Sequence, residues 1–390
     1  VDLYGGRQDI KRKVIRFVGK PKLRIEEDAL RILRAFRFIS KLGFNLDKKT
    51  AEAICKKRKF LTKISKERIF DELSKILMGN FAKKALIEMK KLRVLEMIIP
   101  EFRYAYNFDQ NNPIHTDDLF NHIIKVIHLC DYDLITRFAA LFHDLGKINA
   151  KIIDAKGIFH FYGHEKESAL IAEEELRMLK ASNETINSVK KIIKNHMLIY
   201  EDVSDKTLKK LIIEMEDKNL KRLFNLFYAD LNSKGIKSKK ENEQILKNFW
   251  DKIENIKKQG KILQFNDLDI TGIDLINLKF DNRKIGEVKN RLYDLVLGDE
   301  LENEKEELLK YVVNYYKLEN NFKYENSCGA IVFNENTEKV LLVKMHNGNW
   351  GFPKGHIESN ETKEETAIRE VFEETNIKIK IIPNFEREIK

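Results

Sequence analysis

The chain has 390 residues, 43% of them hydrophobic and 34% charged, with 72 Lys and Arg against 62 Asp and Glu; this is apolar material for two to four packed domains. No apolar run approaches the roughly 18 residues of a membrane span, no signal-peptide pattern opens the chain, and Cys55, Cys130 and Cys328 are odd in number and too scattered for a disulfide framework or a CxxC zinc site. A cytoplasmic protein with no membrane partner is expected, its three cysteines serving as small core residues. Charge is uneven: residues 1–100 hold 27 Lys and Arg against 12 Asp and Glu, an excess of 15, while the remainder carries a net −5. A basic first quarter predicts a polyanion partner at that end.

In chain order, the first strong pattern is RIEEDALRILRAFRFISKLGF. Leu30, Leu33, Phe36, Ile39 and Leu42 recur at helical spacing while Arg31, Arg34 and Arg37 recur at threes, so one helix with an apolar stripe and an arginine stripe is expected. Glu26, Glu27 and Asp28 would open it, where acidic groups favour the helix dipole. By periodicity alone an ordinary amphipathic helix with exposed arginines fits equally. Asp2, Tyr4-Gly5-Gly6, Asp9-Ile10 and Glu27-Asp28-Ala29-Leu30-Arg31 resemble the end of the head and the neck helix of bacterial class II tRNA nucleotidyltransferases and poly(A) polymerases. The resemblance implies that Asp28 and Arg31 present hydrogen-bonding edges to the base of ATP or CTP, with Arg34 and Arg37 on the same nucleotide-binding face. SKERIFDELSKIL matches the next neck element, with Ser65 as its cap. The family's catalytic head would lie ahead of Val1, so the sequence is expected to be a fragment, and nucleotidyl transfer to need a head absent from it.

A connector, EFRYAYNFDQNNP, precedes a histidine-bearing region. His122 in LFNHIIKVIHL, His143-Asp144 in RFAALFHDLGKI and Asp230 in NLFYADLNSKG have the order His, His-Asp, Asp. A His-Asp pair in an apolar run is costly unless it binds something; His115, His128 and His160 carry no such signal. The set resembles the HD superfamily of metal-dependent phosphohydrolases, an all-helical fold. That implies His122, His143, Asp144 and Asp230 as ligands of a divalent transition metal such as Mn²⁺, Ni²⁺ or Fe²⁺. His164 and His196 would hold a second metal, and Lys147 would meet a phosphate.

Residues 236–320 are charged and helical in pattern. ITGIDLI and the following Ile285-Gly286 resemble the tRNA-contacting tail of the same enzymes, with Lys279, Arg283, Lys284, Lys289 and Arg291 available to phosphates; a solvated charged bundle is the alternative. From Asn320 the pattern becomes strand-like. CGAIVF and KVLLV read as a hairpin, followed by GHIESNETKEETAIREVFEETNI. On a helix Glu370, Glu373 and Glu374 share one face, with Ile368, Val371 and Phe372 turned to a core and Arg369 placed to pair with Glu361. A carboxylate fan suits Mg²⁺. The spacing resembles the Nudix box, Asn376 replacing its last glycine, and the flanks resemble the asymmetrical diadenosine-tetraphosphate hydrolases. The resemblance implies that Glu370, Glu373 and Glu374, with the Gly355 carbonyl, hold Mg²⁺ during hydrolysis of dinucleoside polyphosphates.

The expectation is therefore a multidomain chain. An all-α neck, HD body and tail (residues 1–319) would precede a truncated α/β Nudix domain, with boundaries at 1–100, 101–235, 236–319 and 320–390. Its expected work is tRNA 3′-end processing, as CCA or poly(A) addition, beside HD and Nudix hydrolysis, with tRNA, ATP, CTP and dinucleoside polyphosphates as partners and no DNA. Two alternatives stay open: a stand-alone HD/Nudix phosphohydrolase, and a non-catalytic tRNA-binding protein.

Overall fold

The computed structural model describes residues 2–110, 117–200, 202–260, 262–278, 280, 282–316, 327–334, 336–344, 350–358 and 361–382. His115 and Lys279 lie outside them. The chain is mostly helical and divides into two compact units, Val1–Asp269 with Lys289–Asn303 and Ile270–Val288 with Glu304–Lys390. Among the described residues no helix is long and apolar enough to cross a membrane.

The first unit begins with α1 (Gly6–Arg12), β1 (Val14–Ile15), α2 (Pro21–Glu27), α3 (Arg31–Leu42), β2 (Asn45–Leu46), α4 (Lys48–Lys57), α5 (Lys66–Leu77) and α6 (Ala82–Lys91). The single helix expected over RIEEDALRIL is two. Asp28 is extended at φ −153° and ends α2, and its Oδ1 accepts the Leu30 N–H at 3.1 Å. A short acceptor that bonds the backbone two residues on competes with the helix ladder, which is why an acidic run that suits a helix start breaks one here. Glu26 and Glu27 therefore close α2 rather than open α3. Within α3, Ile32, Leu33, Ala35, Phe36 and Ile39 are buried against α5 and α6, while Arg31, Arg34 and Arg37 keep to the other side. Ser65 occupies the N-cap position of α5 but makes no side-chain capping bond.

After α7 (Phe102–Ala105) come α8 (Leu119–Leu129), α9 (Leu134–Phe142), the short pair β3 (Ile152–Ile153) and β4 (Phe159–His160), α10 (His164–Met178), α11 (Asn183–Asn195), α12 (Asp205–Lys234) and α13 (Lys239–Lys258). Asp118, Asp133, Ser182, Ser204 and Ser238 cap α8, α9, α11, α12 and α13 by accepting from N3 amides. The body is continuous with the neck. Phe70 of α5 stacks on Phe138 of α9 at 5.4 Å, and the buried Arg137 guanidinium donates to the Leu77 carbonyl at the end of α5 and to Cys130 O at 3.3 Å and Asp131 O at 3.0 Å. Of the three cysteines only Cys130 is buried; Cys55 and Cys328 are half-buried, so the expectation of three core cysteines does not hold.

One buried acid in this body gives a pH-dependent stability. Glu175 of α10 is 4% exposed, and burial, then the charge of Glu101 and a hydrogen bond from it, push its carboxyl up to about 8, with Lys66 opposing and Glu174 adding. A carboxyl raised on folding contributes stability that is full below its unfolded value near 4.5 and is lost as pH rises through 8. Glu175→Gln should therefore gain on the wild type between pH 5 and pH 8.5 by on the order of 2 kcal/mol in urea unfolding, partial solvation reducing the full conversion. A gap that stays constant with pH would refute the assignment.

The second unit contains α14 (Gly272–Asn277), the start of α15 (Ile285–Leu297), α16 (Lys305–Tyr316), five short strands and α17 (Lys363–Thr375). β5 (Ser327–Gly329) pairs antiparallel with β10 (Lys354–His356). The expected hairpin is present as β6 (Phe333–Asn334) on β7 (Lys339–Val340), and β8 (Val343–Lys344) pairs with β9 (Trp350–Gly351). A Thr362/Glu365 capping box starts α17, and Asn376 ends it at φ 56°, the left-handed conformation that the family's glycine would supply. Its buried face is Thr366, Ala367 and Val371. Ile368 and Phe372, expected in a core, are 38% and 42% exposed.

Candidate metal centre and nucleotide sites

Five helices bring six histidine and aspartate side chains to one buried point. His122 projects from the buried face of α8, His143 and Asp144 follow the last turn of α9, His164 is the first residue of α10, His196 follows α11 and Asp230 lies in the last turns of α12. All six are at most 4% exposed. The ligand atoms form two groups that share Asp144. Its Oδ2 is 3.1 Å from His122 Nε2 and 3.4 Å from His143 Nε2, and its Oδ1 is 3.2 Å from His164 Nε2 and 3.6 Å from His196 Nε2. Asp230 Oδ1 joins the first group at 3.2 Å from His122 Nε2. Among the described residues, His122, His143 and Asp144, and Asp144, His164 and His196, are the two groups of His and acidic side chains whose ligand atoms all gather within 4.8 Å, with Asp230 beside the first.

The outer ring nitrogens fix the chemistry of the inner ones. Nδ1 of His143, His164 and His196 each sits on a main-chain carbonyl, Ala140 at 2.9 Å, Phe161 at 2.8 Å and Ile193 at 2.7 Å, and His122 Nδ1 meets Ser233 Oγ at 3.2 Å. A ring that donates through Nδ1 presents an unprotonated Nε2. Two such lone pairs face each other at 3.2 Å between His122 and His143, and two more at 3.3 Å between His164 and His196. Asp230 Oδ1 is buried without a hydrogen-bond partner. Imidazole lone pairs and carboxylate oxygens converge here, and the residues fit a pair of divalent metals of the kind imidazole suits. Four residues would hold the first, His122, His143, Asp144 and Asp230; three would hold the second, Asp144, His164 and His196.

Burial works against both carboxylates, yet they remain well below the usual range. The ammonium of Lys147 acts this way on Asp144 and that of Lys234 on Asp230. Lys147 does not reach outward for a phosphate as expected. Its buried ammonium lies 2.8 Å from Asp144 Oδ2 and 2.9 Å from Gln110 Oε1, where it orients the shared carboxylate. Tyr200 Oη donates to Asp230 Oδ2 at 2.6 Å and Lys234 Nζ to the same oxygen at 3.0 Å, which leaves Oδ1 facing the histidines. Sequence reasoning missed Gln110, Tyr200, Ser233 and Lys234. Lys234 alone had a local signal, standing four residues after Asp230 on one helix.

On the neck, Asp28 and Arg31 are close in sequence but do not pair with each other. Asp28 Oδ2 accepts from Arg68 at 3.2 Å, and Arg31 donates to Glu27 Oε2 and Arg24 O, both at 2.7 Å. Arg37 turns to the buried Glu72 at 2.9 Å, with Arg34 at 3.7 Å from the same oxygen. In the second unit the expected Arg369–Glu361 pair is present and bidentate, at 2.7 and 2.9 Å. It draws the Glu361 carboxyl down to about 2 and, with Glu370, the guanidinium upward. Arg369 also donates to Glu370, Glu373 and the His356 carbonyl. Glu370, Glu373 and Glu374 do not gather as tightly as the histidine centre. An added Cβ at Gly355 would stand 2.0 Å from the Glu370 carboxylate carbon, so glycine there makes room for that group. Glu374 is pushed up by burial and by the charge of Glu370, a carboxylate pair that a hard cation such as Mg²⁺ would relieve.

Comparison with known proteins follows the same divisions. The sequence matches the family described as a probable RNA- and SrmB-binding site of polymerase A over residues 43–106, the HD domain over 119–220 and the NUDIX domain over 323–389. It is 32% identical over 209 residues to an A-adding tRNA nucleotidyltransferase of Deinococcus radiodurans, covering 51% of this chain and 48% of that one. It is 32% identical over 233 residues to the CCA-adding enzyme of Bacillus subtilis, covering 56% and 57%. The chain is a homologue of the CCA-adding enzymes with a C-terminal Nudix domain. The crystal structure of the Bacillus stearothermophilus CCA-adding enzyme in complex with CTP shares the fold at a TM-score of 0.54, with 22% identity, 82% of this chain and 70% of that one covered. The chain spans about half the length of the curated relatives it matches. The HD match encloses every centre ligand except Asp230, and the NUDIX match encloses Gly355, Glu361 and the acidic helix.

Proposed function

We propose that these residues form the neck, HD body and tail of a tRNA 3′-end-processing protein of the nucleotidyltransferase family, that the HD centre is a metal-dependent phosphohydrolase site, and that the Nudix segment cleaves nucleoside polyphosphates such as diadenosine tetraphosphate. The observation that carries the HD reading is Asp144, one oxygen on each histidine pair. Metals held there would polarise a phosphoryl oxygen and lower the pKa of a bound water. The chain's own residues supply the rest: Lys147 and Gln110 fix Asp144, Tyr200 and Lys234 fix Asp230, and burial excludes bulk water. The basic neck fits tRNA, and Asp28 and Arg31, with Arg34 and Arg37 beyond them, are proposed to meet ATP or CTP; nucleotidyl transfer itself would need a catalytic head adjoining this neck. Mn²⁺, Ni²⁺ or Fe²⁺ suits the imidazole-rich centre and Mg²⁺ the carboxylates.

The two hydrolytic sites are proposed to be independent, and single changes separate them. Phosphate release from nucleoside monophosphates with Mn²⁺ should fall at least a hundredfold in His143→Ala and persist in Glu370→Gln. Cleavage of diadenosine tetraphosphate with Mg²⁺ should show the reverse. Loss of both activities in either variant, or of neither in both, would sink the assignment.

A further inference from the structure

The hairpin between the two histidine pairs carries aromatic side chains that the metal chemistry does not use. β3 and β4 are joined by a tight turn in which Gly157 has φ 77° and Asp154 Oδ1 accepts the Lys156 and Ile158 N–H groups at 2.8 and 2.9 Å. The chain then runs directly into His164. Phe159 and Phe161 are half-buried. Phe161 tilts against Phe108 at 6.1 Å, and Lys151 Nζ stands 3.3 Å from the Phe159 ring centre and 5.6 Å from that of Phe108. This patch adjoins the metal centre. Lys147 Nζ is 5.6 Å from the Phe161 ring centre and 2.8 Å from Asp144 Oδ2, two steps that place the ring at most about 8 Å from the shared ligand.

A flat, partly wet ring flanked by a lysine, one nucleotide's reach from a phosphate-processing centre, has the makings of a base-stacking surface. We propose that Phe161, backed by Phe108, with Lys151 standing between the Phe108 and Phe159 rings, seats the nucleobase of the phosphate ester handled at the HD centre, which makes base-bearing phosphates its substrate class. The proposal rests on the HD reading for the identity of the reacting group.

Binding tests it directly. 2-Aminopurine riboside 5′-monophosphate, whose emission is quenched by stacking, should be quenched by the wild-type chain. Phe161→Ala should abolish the quench and weaken binding about tenfold, since stacking is worth about 1–3 kcal/mol per base, and Phe161→Tyr should restore both. The Phe161 carbonyl that holds His164 survives these changes, so metal content should not move. Hydrolysis of AMP, but not of ribose 5-phosphate, should decline in Phe161→Ala. Absence of quenching in the wild type, loss of metal in Phe161→Ala, or equal effects on AMP and ribose 5-phosphate would each overturn the base seat. A Phe161-dependent quench without phosphate release from either compound would keep the seat and reject the hydrolase reading instead.

Discussion

Replacing Asp144 with Asn should empty both metal positions at once. The two carboxylate oxygens are divided between His122 with His143 and His164 with His196, so an amide that offers one weak acceptor and one donor cannot serve both pairs. His196→Ala is the informative contrast, because it removes a ligand from the three-residue position alone. Metal analysis of purified chains should read about two equivalents for wild type, one for His196→Ala and none for Asp144→Asn. Phosphate release should fall about a thousandfold or more in Asp144→Asn, since the several kcal/mol that bound metals contribute to the transition state would be lost. Independent loss of one metal in each variant would mean that Asp144 is not shared.

A larger structural effect is expected from one methyl group. At Gly146 the segment after His143-Asp144 touches α10 so closely that an added Cβ would lie 2.3 Å from the His164 carbonyl oxygen and 2.5 Å from the Ser168 amide nitrogen. Both are backbone atoms of a helix and cannot swing aside. The Gly146 N–H also donates to the buried Ser168 hydroxyl at 2.8 Å. Gly146→Ala must push α10, and His164 with it, away from Asp144. We expect a loss of about 3 kcal/mol, seen as a drop in melting temperature of roughly 6–12 °C for a domain of this size, and loss of the second metal before the first. Gly286→Ala, in the open on α15 with nothing within 4 Å of its added Cβ, should be neutral or slightly stabilising. A Gly146→Ala chain with the wild type's melting temperature and both metals would contradict the packing described.

Much of this site could be read from the sequence because burying His and Asp in apolar surroundings is costly, and that cost shows in the pattern of residues alone. His122, His143, Asp144, His164, His196 and Asp230, spread over more than a hundred residues, do converge. Their division of labour was not legible. That Asp144 faces both pairs depends on the turn after α9, and that Lys147 serves Asp144 rather than an incoming phosphate depends on Gln110, which no spacing rule connects to it. In the neck the arginine stripe was read correctly as a face, but its attachment to Glu72 was hidden because Glu72 belongs to another helix. Asp28 misled in a different way: its acidic neighbourhood suits a helix start, whereas its own oxygen ends one helix and shapes the turn into the next. In α17 periodicity identified Val371 as buried but also named Ile368 and Phe372, because amphipathic spacing marks apolar residues whether or not something covers them.

Arg137 bears on how the first unit moves. Its guanidinium ties the end of a neck helix to the turn between the two helices that carry His122 and His143, and Phe70 stacks on Phe138 beside it. The helices before α7 and those that carry the histidines are therefore held together at that seam by buried contacts. On the function proposed above, a strand held along the arginine face would not be carried to the histidines by a swing of one part against the other. Its own end would have to travel the intervening distance, and the fixed length of protein between grip and metals would act as a gauge of how much single strand is free.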